Sequence, residues 1–305
     1  MTDKYAVIGN PIAHSKSPQI HKMFAEQTGQ DISYEAILAP LDGFAATVER
    51  LRKEGYKGCN VTVPFKFEAF KIAHGFSREV MDAIDSDNKA DAVNTLDFSH
   101  NHIVGYNTDG TGLVRDITQN LNCKIVGKRV LLMGAGGAAY GVLHPLLNEK
   151  PLDLVIVNRT FEKAQKIENK IRETKQSFVT SVSSSSYPGL SVEPSYEHHS
   201  HNTQTRSNYL NVSKKQFDLI INATSSSLSN EMPPLPPDIF APGCLAYDMM
   251  YGRETPFMKF AREHGAAIVS DGLGMLVEQA AESFFIWRGV RPKTAPVIAT
   301  LRKQQ

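Results

Sequence analysis

Apolar and polar positions along the first third of the chain switch between strand-like runs and helix-like spacing. Lys4–Gly9 is a short apolar run that ends in Gly9-Asn10-Pro11, a strand followed by a turn. Ser17-Pro18 opens a helix, with Ser17 expected at the N-cap and Pro18 at the first helical position. Ile20, Met23 and Phe24 then share one face, and Gly29 closes the helix. Ile32–Leu38 reads as a strand, Leu41–Glu54 as a helix closed by Gly55, and Cys59–Val63 as a strand broken by Pro64. Ala92–Phe98 and His102–Tyr106 read as two strands of a hairpin. Strands separated by helical segments predict a parallel sheet with crossover helices.

A helix opens at Asp109-Gly110-Thr111-Gly112 and runs to about Leu121. Lys128–Met133 is an apolar strand leading directly into Gly134-Ala135-Gly136-Gly137-Ala138-Ala139 and a helix to about Asn148. Leu154–Val157 is the next strand, and Phe161–Thr174 the next helix. Ser181–Asn211 lacks a periodic apolar face and reads as a long surface loop, rich in Ser and carrying His198, His199 and His201. The pattern resumes with strands at Phe217–Asn222, Leu245–Met250 and Ala266–Val269. Helices are expected at Pro256–His264, Gly272–Trp287 and Thr294–Arg302. The expected architecture is α/β in two domains around a cleft. An N-terminal substrate-binding domain takes residues 1–109 and 272–305, and a Rossmann-type dinucleotide-binding domain takes 110–271.

Composition narrows the function classes. The 305 residues carry 33 Lys+Arg against 32 Asp+Glu, so the net charge of +1 lacks the basic excess of a nucleic-acid binder. Cys59, Cys123 and Cys244 are far apart and form no CxxC pair, which argues against a disulfide framework and a zinc site. The clustered histidines lack a second ligand type at fixed spacing, so no metal is expected. The N-terminal apolar run is too short for a signal-peptide core, and no run reaches the roughly 18 apolar residues of a membrane span. A cytoplasmic protein with no membrane partner is expected.

Gly134-x-Gly136-x-x-Ala139 matches GxGxxG/A and follows a strand, opens a helix and lies in a βαβ unit, the context that gives this otherwise weak motif its meaning. Gly134 permits the tight turn, Gly136 lets a pyrophosphate approach the backbone, and Ala139 lets helix and strand pack closely. The free N–H groups of the helix start then favour phosphate. An NAD-binding protein usually ends the second strand in Asp or Glu, which accepts hydrogen bonds from the ribose 2′-hydroxyl. Here that position reads Val157-Asn158-Arg159-Thr160. Arg159 can bind a 2′-phosphate bidentately, which favours NADP(H). Lys163 either adds charge or is an exposed helix lysine, and Glu162 is the one acid nearby.

Polar residues cluster where strands of the first domain end: Ser15, Ser17, Asn60, Thr62, Asn94 and Asn107-Thr108-Asp109. In an open α/β sheet, ligands bind beyond the strand ends. Hydroxyls and amides there suit a small substrate bearing several hydroxyls and a carboxylate. At these stretches the chain resembles the shikimate dehydrogenase family: Gly9 to Pro18, Asn60-Val61-Thr62-Val63-Pro64-Phe65-Lys66, Ala92 to Leu96, Asn107 to Gly110, Gly134 to Ala138, Asn158-Arg159-Thr160, Asn222 to Ser225, Tyr247-Asp248-Met249 and Asp271 to Leu276. The matching stretches occur in order and span nearly the whole chain, excepting the Ser-rich loop.

That resemblance implies reversible reduction of 3-dehydroshikimate to shikimate with NADPH, a step of chorismate and aromatic amino-acid biosynthesis. It further implies Lys66 and Asp109 as the catalytic pair. Ser15, Ser17 and Tyr251 are implied as carboxylate-side contacts, and Asn60, Thr62, Asn94 and Gln279 as contacts to the ring and its hydroxyls. Gly134, Ala135, Gly136, Gly137, Ala138, Asn158, Arg159, Thr160, Lys163 and Thr224 fall on the cofactor side, with Met249 and Gly272 beside the nicotinamide. A monomer or a homodimer is compatible with it.

The chemistry explains the need for such a pair. Hydride transfer at a carbinol carbon requires a proton to move at its oxygen. A free lysine titrates near about 10.4, too high for a base at neutral pH, unless burial or neighbouring cations lower it. Lys66 therefore either moves the proton, with Asp109 orienting it, or stabilises the developing alkoxide. Two departures from the family pattern stand out: Ala139-Tyr140 after the Gly-rich turn, and Ser227 where relatives often have Gly. Alternatives are a quinate/shikimate dehydrogenase of broader substrate and cofactor use, and an inactive NADPH-sensing relative. The absence of an acid at the cofactor strand and the Ser15/Ser17 pair argue against the first, and retention of both Lys66 and Asp109 against the second.

Overall fold

In the computed structural model, residues 2–77, 92–173, 181–185, 215–224, 226, 231–232 and 234–304 are described. The chain forms two compact units: Met1–Leu121 with Gly141–Pro145 and Gly274–Gln305, and Asn122–Tyr140 with Leu146–Leu273.

The first unit is built on a mixed six-stranded sheet. Its strands are β1 (Asp3–Gly9), β2 (Ile32–Leu38), β3 (Tyr56–Val61), β4 (Gly75–Phe76), β5 (Thr95–Asp97) and β6 (Val104–Tyr106), in the order β2-β1-β3-β5-β6-β4. β1 runs parallel to both β2 and β3, whereas β5 pairs antiparallel with β3 and with β6, giving the expected hairpin. β1 lies in the interior of the sheet and is buried from Tyr5 to Gly9, so its sequence is nearly unbroken in apolar residues. Alternate side chains serve opposite faces. On one face Ala6 and Ile8 join Val48, Leu51, Val61 and Phe65, with the Phe44 and Phe65 rings stacked at 5.0 Å. Helix α2 (Phe44–Lys53) supplies Phe44, Val48 and Leu51, β3 supplies Val61, and Phe65 is the N-cap of α3 (Lys66–Ile72). On the other, Tyr5 stacks on Trp287 at 4.7 Å, and His21, Phe24, Tyr34 and Phe284 complete an aromatic cluster. These residues come mainly from α1 (Ser17–Thr28) and the long helix Leu273–Arg288.

Helix α1 begins one residue earlier than the sequence suggested. Lys16 is its N-cap, so Ser17 and Pro18 lie in the first turn. The hydroxyl that accepts from this end is Ser15, which takes the Ser17 backbone N–H at 3.3 Å. A second difference concerns the helix from Asp109. It is α-helical only over α4 (Asp109–Arg115) and continues as a single π-helical turn, Asp116–Asn120. This segment belongs to the first unit, which therefore runs on to Leu121. Gly110 explains the close approach: a Cβ there would lie 2.4 Å from Pro145 Cγ and 2.7 Å from the Gly141 carbonyl oxygen.

The second unit holds β7 (Arg129–Met133), β8 (Asp153–Val157), β9 (Ser181–Ser185), β10 (Phe217–Asn222), β11 (Phe240–Asp248) and β12 (Ile268–Ser270). Their order is β12-β11-β10-β7-β8-β9, with every pairing parallel. Numbered from β7, this is the 3-2-1-4-5-6 order of a dinucleotide-binding sheet, whose order reverses between β7 and β10. The connecting helices are α5 (Gly137–Asn148), α6 (Phe161–Glu173) and α7 (Pro256–Glu263); α8 (Leu273–Arg288) and α9 (Ala295–Arg302) follow β12. The core under this sheet joins Leu131, Met133, Val155 and Val157 to Ile220, Ala246 and Phe257.

The expected 181–211 loop is corrected at its start. Ser181–Ser185 is an edge strand in register with Asp153–Val157. Its serines carry no hydrophobic alternation, and main-chain pairing alone defines it. The remainder of that stretch, including His198, His199 and His201, lies outside the described residues, as does Ser227.

Candidate active site

Several of the residues singled out from the sequence meet in the first unit, at the ends of its strands and on the helices beside them. Asn60 is near the end of β3, Lys66 opens α3, and Asn94 immediately precedes β5. Asp109 opens α4, and Gln279 projects from α8. The Lys66 ammonium bonds the Asp109 carboxylate through Oδ2. Asp109 Oδ1 accepts from Asn94 Nδ2 at 2.8 Å. Gln279 Oε1 lies 3.3 Å from the Thr108 hydroxyl and 3.5 Å from Asn94 Nδ2. Lys66 keeps 22% of its side-chain surface and Asp109 12%, so the lysine is the more accessible member of the pair. Ser17 is buried and Ser15 half-buried at the start of α1, with the Ser17 hydroxyl beside the Tyr34 phenol. Thr62 follows β3 and is half-buried; no side-chain bond joins it to the Lys66 cluster.

Three hydroxyl groups in this cluster, those of Thr95, Ser283 and Tyr34, escaped the sequence reading. With Thr108 they connect Asn60 and Asn94 into one network. Thr95 and Thr108 sit inside motifs that were recognised, and Ser283 is one helical turn beyond Gln279, a spacing that places both on one face. His21 is another buried polar group without a sequence signal. It is wholly buried and stacked on Tyr34 at 4.0 Å. Burial pushes its pKa down to about 3, with the Asn60 amide acting in the opposite sense.

The second unit places its predicted residues at the carboxyl ends of its strands. Gly134 follows β7 with φ +108°, a conformation L side chains rarely adopt. Its N–H donates to the Val157 carbonyl at 2.7 Å. Ala135 is buried; Gly136 is the extended N-cap of α5, with open space where a Cβ would be. Gly137 and Ala138 open the helix, and their N–H groups have no acceptor within it. Asn158 Nδ2 closes the turn after β8 on the Thr160 carbonyl at 2.8 Å, leaving Arg159, Thr160 and, one turn on, Lys163 exposed.

A buried polar network holds the remaining loops. Asn222 Nδ2 donates to Asp248 Oδ2 at 3.0 Å, and the Thr255 hydroxyl donates to the same oxygen at 2.6 Å. Asn222 Oδ1 accepts from Thr224, both N–H (3.1 Å) and hydroxyl (2.7 Å). Its carbonyl accepts from the Met249 N–H at 3.0 Å. Gly272 packs so tightly against Met249 that a Cβ would lie 2.3 Å from that carbonyl oxygen. Tyr251 is half-buried three residues beyond Asp248, and burial raises its phenol pKa.

The residues fit a dinucleotide bearing a 2′-phosphate. Open space at Gly136, unsatisfied helix N–H groups, and an exposed Arg159 without an acid at the strand end are what such a group requires. One unit of this strand order, together with another carrying a Lys–Asp pair among hydroxyls and amides, defines the class: a two-domain α/β oxidoreductase of the nicotinamide-nucleotide type.

Three family models match the chain. They are the shikimate dehydrogenase substrate binding domain over residues 7–96, shikimate / quinate 5-dehydrogenase over 114–185, and the shikimate 5'-dehydrogenase C-terminal domain over 272–302. Shikimate dehydrogenase (NADP(+)) of Methylobacillus flagellatus is 53% identical over 98% of this chain and 99% of its own. The Ael1 enzyme from Pseudomonas putida superposes with a TM-score of 0.83 at 43% identity, covering 98% of each chain. Shikimate 5-dehydrogenase from Thermus thermophilus, solved with NADP(H) and shikimate, gives 0.78 at 25% identity over 100% of both chains. The chain belongs to the shikimate dehydrogenase family.

Among the described residues no helix is long and apolar enough to cross a membrane, and no group of three or more His, Cys, Asp or Glu could hold a metal ion.

Proposed function

We propose that this chain catalyses the reversible, NADPH-dependent reduction of 3-dehydroshikimate to shikimate, with Lys66 and Asp109 as its acid–base pair. The observation that carries the reading is the Lys66–Asp109–Asn94 chain of contacts, set among hydroxyl- and amide-bearing side chains in the unit that matches the substrate-binding model. NADPH, when bound, supplies the hydride. In the reducing direction Lys66 Nζ gives its proton to the carbonyl oxygen as that oxygen gains charge, and in the oxidising direction it takes the hydroxyl proton back. Asp109 fixes the ammonium through Oδ2 and is itself fixed by Asn94. Ser15, Ser17 and Tyr251 bind the carboxylate; Asn60, Thr62, Asn94 and Gln279 bind the ring hydroxyls. The Gly134–Ala138 turn holds the pyrophosphate, and Asn158, Arg159, Thr160 and Lys163 hold the 2′-phosphate end. Thr224, Met249 and Gly272 flank the nicotinamide. The free thiols of Cys59, Cys123 and Cys244 suit the cytoplasm, where such biosynthesis takes place.

NADPH formation followed by absorbance, with shikimate and NADP against quinate and NAD, tests the assignment. Shikimate with NADP should exceed the other combinations at least about tenfold in kcat/KM. Comparable rates with quinate or NAD would place the chain in the broader branch. Lys66→Ala should lower kcat by roughly 100-fold or more; a near-normal kcat with only KM raised would make Lys66 a binding residue.

A further inference from the structure

The Lys66–Asp109 pair depends on an amide, Asn94, and an amide can turn about and exchange its two ends. What fixes Asn94 is visible. Its Oδ1 accepts from the Thr108 backbone N–H at 2.9 Å, a group that can only donate, so Nδ2 must face Asp109 Oδ1. The same Oδ1 accepts from the Thr95 hydroxyl at 3.0 Å. Thr95 Oγ1 in turn accepts from Asn60 Nδ2 at 2.9 Å, while Tyr34 donates to Asn60 Oδ1 at 2.7 Å. The other Asn60 proton goes to Ser283 Oγ at 2.8 Å, and Ser283 donates to the Gln279 carbonyl at 3.1 Å. Thr95 and Ser283 are both wholly buried, so neither hydroxyl is open to a substrate.

We propose that Thr95 is a positioning residue for the reaction: its hydroxyl locks Asn60 to Asn94, and so holds Asn94 on Asp109 and Asp109 on Lys66. The inference rests on the reading of Lys66 and Asp109 as the reacting pair. A threonine hydroxyl suits the task because it donates and accepts at once, and burial removes water as a substitute partner. Without it, Asn94 Oδ1 loses one donor and Asn60 loses one acceptor, and the carboxylate that orients the ammonium gains freedom. Displacement by about 1 Å at a reacting centre costs up to about 100-fold in rate.

The test uses the full-length enzyme with 3-dehydroshikimate and NADPH. Thr95→Val keeps the shape and removes the hydroxyl, Thr95→Ser keeps the hydroxyl, and Lys66→Ala runs beside them. Thr95→Val is expected to lose about tenfold or more in kcat and to displace the pH profile of kcat. KM for NADPH should stay unchanged, and Thr95→Ser should restore both kcat and the profile. A wild-type kcat and pH profile in Thr95→Val, or an equal loss in Thr95→Ser, would overturn the proposal. Should Thr95→Val fail to fold, Ser283→Ala, which removes the second acceptor of Asn60, carries the same expectation at smaller size, and an unaltered kcat there overturns it. An inactive Lys66→Ala beside a normal Thr95→Val sinks the positioning role alone, whereas an active Lys66→Ala sinks the reading of the pair itself.

Discussion

Gly134 and Gly136 of the Gly-rich turn meet different physical constraints, and one substitution at each separates them. At Gly134 the backbone sits at φ +108°, where an L side chain costs about 1–2 kcal/mol. A Cβ there would also lie 3.0 Å from the Ala223 carbonyl oxygen, 3.1 Å from its carbon and 3.3 Å from the Thr224 nitrogen. All three are main-chain atoms at the end of β10 and cannot swing aside, which adds about 1–3 kcal/mol of overpacking. Alanine restricts the unfolded chain more than glycine does, returning about 0.4–1 kcal/mol. Gly134→Ala should therefore lose about 2–3 kcal/mol of stability without any ligand, or roughly 5–10 °C in thermal midpoint. Gly136 is the counter-case. Its φ of −99° is open to any residue, and nothing lies within 4 Å of where its Cβ would be. Gly136→Ala should melt within about 1 kcal/mol of wild type, yet weaken NADPH about tenfold or more by placing a methyl where the pyrophosphate must approach. The assay is differential scanning fluorimetry without ligand, paired with an NADPH titration by calorimetry. A Gly134→Ala protein as stable as wild type would refute the steric argument. Unchanged NADPH affinity in Gly136→Ala would refute the placement of the pyrophosphate.

Two further outcomes follow from charge. Arg159→Ala should raise KM for NADP about 10- to 100-fold, the worth of a charge-assisted phosphate contact, and leave that for NAD within about twofold; equal effects on both cofactors would remove Arg159 from the 2′-phosphate. His21 titrates near 3 in the fold against about 6.5 when unfolded, so the unfolded chain binds the extra proton between those values. Stability should fall as pH drops from about 6.5 toward 3, by up to about 1.4 kcal/mol per pH unit, and His21→Phe should flatten that slope in acid denaturation; an unchanged slope would show that His21 gains a proton without unfolding.

The second unit was the more legible in sequence. Gly134-x-Gly136-x-x-Ala139 between two apolar strands announces the βαβ unit, because the strands next to it are buried on both faces and read as unbroken hydrophobic runs. β9 was hidden for the opposite reason: a serine edge strand is defined by its pairing partner, which periodicity does not see. Helix α3 was missed because Pro64 reads as a stop, although Lys66 begins a helix only two residues later. In the first unit Asn60, Asn94 and Asp109 were recognisable as polar residues where strands end, and they fall in one cluster. The buried hydroxyls bonded into that cluster were not. Thr95 and Ser283 are 188 positions apart, and only the packing of α8 against β5 brings them to 2.9 Å.

The sequence holds one tryptophan, Trp287, and it is stacked on Tyr5 with its indole N–H donated to the Leu96 carbonyl. Leu96 is the neighbour of Thr95. Tryptophan emission of this enzyme is therefore a reporter of the substrate-binding unit alone, arising on α8 from a ring hydrogen-bonded to β5, the strand that carries Thr95. A chemical melt followed by tryptophan emission will register the loss of that unit and remain silent about the nucleotide-binding sheet, whereas far-ultraviolet circular dichroism sees both. The gap between the two curves measures whether the units come apart together or in turn.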